Sequence, residues 1–245
     1  AKSNIAPRLE RSGRSVVENN FSPAAGDRRF SAVRSFLAVP LVTDETIGML
    51  IAANKVAGDF DSIDMKLMSS IGNQAAVFLA NSRLYAELQE LLMGVLHALT
   101  ATIDAKDPYT CGHSQRVAMI SRRLAQEREF TPERVQQIYL AGLLHDIGKI
   151  GVPEATLCKD GRLTDEEYGH IRRHPNLGAK ILGGIRQLEH VAVWIRLHHE
   201  RLDGGGYPDG LHAEQLPIES RIIGLADSFD AMTSDRTYRK ALSLE

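Results

Sequence analysis

The segment YLAGLLHDIGKIGVP constrains this chain more than any other, because an apolar run of helical period carries His145 and Asp146 to its end. A helix of this kind turns its apolar face inward. An imidazole and a carboxylate therefore arrive side by side on buried backbone, where each is costly unless something meets it. Gly148 is placed to stop the helix. The same construction recurs in WIRLHHERLDGGGYPDG, where an apolar helix ends in His198 and His199 and opens into a glycine-rich loop. A fold for this chain has to give both helix ends polar company.

Beyond Asp107-Pro108 the sequence divides into helical segments at 113–128, 132–147, 164–173, 176–185, 188–199 and 218–233, separated by Gly and Pro clusters. No stretch there alternates with the period of a strand, so this half reads as all-helical. The first half differs. FLAVPLV from Phe36 and IGMLIAANK from Ile47 read as two strands joined by a polar hairpin loop, after some thirty Arg/Ser/Asn-rich residues with weak patterning. Ser62 then precedes a helical pattern running to Leu84. The expected class is α+β overall: an N-terminal α/β module over 1–84, a connecting helix over 85–104 and an all-α bundle over 105–245.

Leu84, Leu88, Leu91, Leu92, Val95, Leu96, Leu99 and Ile103 continue an apolar stripe at three- and four-residue steps. The stripe reads equally as a core face and as the seam of a homodimer through the 84–103 helix. A net charge of -2 offers no basic excess for binding along DNA. Cys111 and Cys158 show no disulfide spacing, which favours a reducing, cytoplasmic compartment. No apolar run reaches the ~20 residues of a membrane span. Because the chain opens on Ala1 and stops within a helical pattern, it reads as a piece of a longer protein.

His113, His145, His174, His198 and His199, with Asp146 and Asp227, make up the candidate ligand set. Taken singly, each has an ordinary reading as a cap, a core hydrogen bond or a surface charge. The two adjacent pairs change that, and a bound cation is the partner that suits them. Imidazole and carboxylate without thiolate suit Fe or Mn, with Zn or Ni as further options, and seven donors exceed the needs of one ion. Two divalent ions are the natural count, and Asp146 is the candidate bridge. Such a pair clamps the oxygens of a phosphoryl group. Lys149, three residues after Asp146, is suited to a phosphate oxygen but reads equally as an exposed lysine at a helix C-terminus.

DPYTCGHSQRV, HDIGKIGVP, His174-Pro175, HHERLDGGGYPDG and RIIGLADSFDAMTSDRTYRKAL, in this order, resemble the HD-GYP subgroup of the HD metal-dependent phosphohydrolases over about 104–241. The resemblance implies an HD-type helical bundle that hydrolyses cyclic di-GMP to pGpG or GMP. It also implies metal ligation by His113, His145, Asp146, His174, His198, His199 and Asp227, with Lys149 as the catalytic lysine. Gly206, Tyr207, Pro208, Arg236, Arg239 and Asp230 are expected on the substrate side, Asp230 also as a residue that orients a ligand from one turn beyond Asp227. Glu200 is a weaker candidate of that kind. Some relatives hold a third metal through a glutamate four residues before the first histidine. Here that residue is Tyr109, which favours two metals.

Residues from about 20 to 84 resemble the later part of a GAF domain, implying an unidentified small-molecule ligand and regulation through the connecting helix. His97, His170, His190 and His212 are read as structural or exposed, and Trp194, Ile222, Ile223 and Leu225 as core. A second reading is a signalling module that binds ligand or partner through the GYP surface without turnover. Loss of a ligand or of Lys149 would favour it, and none is lost.

Overall fold

In the computed structural model, strand β2 (Phe36–Val42) is the middle of a three-stranded antiparallel sheet, between β1 (Val16–Glu18) and β3 (Thr46–Ala53). The structure describes residues 14–22, 31–107 and 112–234. The expected hairpin is present, with Leu41 opposite Gly48 and an irregularity in the register at Leu41/Val42. Strand β1 was not expected. Three residues are too few to display a period, and pairing of Val16 with Ala38 and Val17 with Leu37 supplies what the local sequence lacks. The side chains of β2 fill both faces: Phe36 and Ala38 pack with Phe21 and Met49, while Leu37 and Val39 pack with Phe60, Met65 and Met68.

Helix α1 (Ser62–Lys106) is continuous, as the unbroken apolar pattern predicts. Its cap is Asp61, whose carboxylate accepts the Ile63 and Asp64 amides, while Asp64 accepts the amide of Asp61 in return. The chain divides into two compact units, Ala1–Leu91 and Leu92–Glu245, and α1 runs from one into the other. The apolar stripe divides as well. Leu84, Leu88, Leu91, Leu92, Val95 and Leu99 are exposed, whereas Ile103 is buried and Leu96 packs against the core of the second unit.

The second unit contains α2 (His113–Glu127), α3 (Pro132–Leu144), the single turn α4 (Glu154–Leu157), α5 (Asp165–Ile171), α6 (His174–Leu182), α7 (Glu189–Arg196) and α8 (Ile218–Thr233). Helix α2 packs on α3 and α8, and α6 packs on α7. Ile138, Leu144, Trp194, Ile195, Ile222 and Ile223 form the core. Leu225 does not join them and is 58% exposed. Two residues beyond Ile223 it lies about 200° further round the helix, on the outer face. Among the described residues no helix is long and apolar enough to cross a membrane.

Candidate metal centre

Helix α3 ends at Leu144, so His145 caps it and Asp146 starts a 3-10 turn over Ile147–Gly151. Gly148 is therefore not the stop that the sequence suggests. A Cβ there would overlap the carbonyl of His174, so glycine is what lets the start of α6 touch this turn. His174 is the first residue of α6, with Pro175 in the first turn, where its missing N–H costs nothing. His198 and His199 follow α7, and His113 begins α2. Four helix starts or ends and one helix interior, that of Asp227, thus supply the seven predicted donors.

Three of the rings are held alike. The Nδ1 atoms of His145, His174 and His198 lie 2.8, 2.7 and 2.5 Å from the carbonyl oxygens of Gly142, Ile171 and Ile195, each three residues earlier. A carbonyl can only accept, so Nδ1 carries the proton and, in the neutral ring, Nε2 presents a lone pair. All three Nε2 atoms are buried without a hydrogen-bond partner. Those of His174 and His145 come within 3.2 and 3.4 Å of Asp146 without bonding to it, so the donors face a shared centre rather than each other. Orphaned buried nitrogens beside a carboxylate fit a metal ion.

Donor atoms from His174, His198 and His199 lie within 4.8 Å of one another, as do those of His113, His145 and Asp227, and those of His145, Asp146 and His198. The three groups include all seven predicted ligands. Burial, reinforced by neighbouring imidazoles, keeps His198 well below its ordinary pKa and His199 at about 4. These rings are neutral donors near neutral pH. Burial also opposes charge on His113, but Asp227, Asp230 and Asp146 outweigh it and lift the ring to about 9. The carboxylates thus draw positive charge into the cluster, and a proton and a metal compete for the same nitrogens.

His113 is gripped from both sides, its Nε2 3.2 Å from Asp227 and its Nδ1 2.7 Å from Asp230. Asp230 is 3% exposed and also accepts the Arg116 fork at 2.6 and 3.0 Å. Its oxygens bond His113 and Arg116, which is the ring-orienting place expected for it one turn beyond Asp227. Arg116 escaped the sequence reading, although its position three residues after His113 on one helix was the available signal. Lys149 places Nζ 2.8 Å from Asp146 and 3.0 Å from Asp107. Burial would lower its pKa, but the two carboxylates raise it, so the ammonium stays charged.

The cluster opens into a cleft of about 900 Å³ bordered by Lys149, Tyr207, His199, Asp227 and Lys159. The Tyr207 ring packs on His199 at 4.8 Å, and the Arg172 guanidinium lies 4.9 Å from its centroid. Gly206 and Pro208 are not among the cleft's bordering residues. Gly206 serves the loop itself, since a Cβ would strike the backbone of Glu200 and Arg201. Glu200 serves the same loop. Its carboxylate accepts the amides of Asp209, Gly210 and Leu211 and so ties the loop back on itself. Arg236, Arg239 and Tyr109 lie outside the described residues.

A family model described as HD domain matches residues 97–245, and one described as GAF domain matches residues 8–80. A cyclic di-GMP phosphodiesterase of Pseudomonas aeruginosa is 43% identical over 162 residues, 65% of this chain and 39% of that protein. The 3'3'-cGAMP-specific phosphodiesterase 1 of Vibrio cholerae is 41% identical, over 63% of this chain and 36% of its own length. A cyclic di-GMP phosphodiesterase of Thermotoga maritima is 40% identical, over 66% and 44%. The chain thus spans about two fifths of the length of these curated relatives.

Proposed function

The chain belongs to the HD domain family, and on that premise we propose that it is a metal-dependent phosphodiesterase that hydrolyses cyclic di-GMP to pGpG, GMP or both. The observation that carries this reading is the trio of buried, unpartnered Nε2 atoms gathered around Asp146. His113, His145, Asp146, His174, His198, His199 and Asp227 would hold two divalent ions, Fe or Mn before Zn or Ni. When bound, the ions supply Lewis acidity to the phosphoryl group and acidify water.

The remaining tasks fall to the chain. Lys149, fixed on two carboxylates at the cleft edge, offers its ammonium to a non-bridging phosphate oxygen, where charge grows during displacement. Tyr207, its ring packed against His199 with the Arg172 guanidinium over it, borders the cleft as an aromatic contact for the ligand. Asp230 and Arg116 keep the His113 ring aimed. Arg236 and Arg239, by the resemblance, add guanidinium contacts to phosphate or guanine. We assign residues 1–84 to a GAF-like sensor with a small-molecule ligand, 85–104 to the connecting helix and 105–245 to the catalytic domain, in a cytoplasmic protein regulated by the sensor. Exposed Leu88, Leu92, Val95 and Leu99, at steps of four, three and four, support a homodimer through the 84–103 helix. A concentration-independent monomer mass would remove that dimer.

The test is anaerobic turnover by protein reconstituted with Fe(II) or Mn(II), with cyclic di-GMP and 3'3'-cGAMP assayed side by side and products separated by chromatography. Metal-dependent release of pGpG or GMP, absent from Asp146→Ala, is the expected result. Preference for 3'3'-cGAMP would move the substrate and keep the enzyme. Full metal occupancy with ligand bound and no turnover would sink the reading.

A further inference from the structure

A second cleft, of about 460 Å³, opens on the other side of His174 and shares only that residue with the borders of the metal cleft. Its edge is cationic. Arg173 and Lys180 border it together with the amide of Asn176, and no carboxylate does. Residues 173, 176/177 and 180 repeat at helical spacing, so one stripe along the start and body of α6 faces the opening. The floor is apolar, built from Val152, Pro153 and Leu177.

The charges on this wall are uncompensated. Elsewhere in the same unit Arg116 pairs with Asp230, Arg134 with Glu219, Lys159 with Glu167, Arg196 with Asp209 and Arg201 with Asp203. Among the described residues neither Arg173 nor Lys180 forms an ion pair. His170, on α5, adds an independent sign: its Nδ1 is buried at the same cleft with no hydrogen-bond partner, a condition that native structures normally relieve. Cations, a donor amide and an unpartnered ring nitrogen over an apolar floor match a ligand with an anionic head and an apolar body.

We infer that this cleft is a second ligand site, distinct from the metal centre, for a small organic phosphate whose anionic group meets Arg173, Lys180 and His170 and whose apolar body lies on Val152, Pro153 and Leu177. The assignment does not depend on the phosphodiesterase reading. The experiment titrates zinc-loaded full chain with phenyl phosphate and follows backbone amide shifts, with inorganic phosphate in parallel. Saturable shifts at Asn176, Leu177 and Lys180 are expected in the wild type and in Asp227→Asn. The exposed pair Arg173→Glu/Lys180→Glu should bind at least tenfold more weakly with its circular dichroism unchanged, and inorganic phosphate several-fold more weakly than phenyl phosphate. Shifts confined to Tyr207 and Ser228, no shifts at all, or an affinity indifferent to the charge reversal would overturn the site. Equal affinity for the two phosphates would overturn the apolar part of the assignment.

Discussion

The two units bury their side chains on opposite terms. Around β2 the sheet-bearing unit packs Phe36, Leu37, Ala38 and Val39 between apolar groups on both faces, and among the described residues it buries no charged or polar side chain. The helical unit buries Asp104, Asp107, His113, His145, Asp146, His174, His198, Glu219 and Asp230, all at 7% exposure or less. Desolvated charge is a liability for stability unless it is met. A unit that concentrates it around unpartnered nitrogens, while its neighbour avoids it, marks where a ligand's binding energy is expected to enter.

If that contrast is physical, removing metal should act on one unit only. Two ions loaded at about 100 times Kd contribute roughly 5 kcal/mol, so chelation should lower the melting transition of the helical unit by about 10 °C and abolish turnover. Asp146→Ala should show neither the metal-dependent shift nor the activity, and calorimetry with metal analysis checks both. A chelator shift shared equally by the sheet unit would break the comparison. The reverse probe is Leu37→Ala, which removes a fully buried side chain from β2. It should destabilise the sheet unit by about 2–5 kcal/mol in denaturant melts, with metal stoichiometry unchanged.

What was legible in the sequence follows the same division. Long apolar periods gave the boundaries of α2, α3, α7 and α8 to within a few residues, because burial imposes the period that a reader sees. His145, Asp146, His198 and His199 were legible because His-Asp and His-His at apolar helix ends are costly without a partner, whereas His113, His174 and Asp227 were legible through the motifs around them. Strand β1 was not, since its pairing is non-local. Leu225 was misplaced because an apolar residue next to a core run does not declare its face. Asp230 and Glu200 were recognised as polar residues near the site, but their work depends on partners distant in sequence: His113 lies 117 residues from Asp230. Only folding makes those pairs.

Asp230→Asn probes how finely the polar unit is tuned and carries the smallest expected effect. The carboxylate accepts His113 Nδ1 with Oδ2 while Arg116 holds both oxygens, so the ring is fixed with Nε2 toward Asp227. Asparagine keeps the shape, withdraws the charge and turns an amide donor toward either Arg116 or the ring N–H, where two donors meet. Loss of a partner behind a metal-ligating imidazole lowers metal affinity by about 10–100-fold, equivalent to roughly 1.4–2.7 kcal/mol. Competition with a metallochromic chelator should read that loss, with the fold intact by circular dichroism and turnover restored at high metal concentration. Unchanged affinity would mean that the Asp230–Arg116 pair merely packs α2 against α8; a loss that excess metal cannot rescue would place Asp230 back among the groups acting on the substrate.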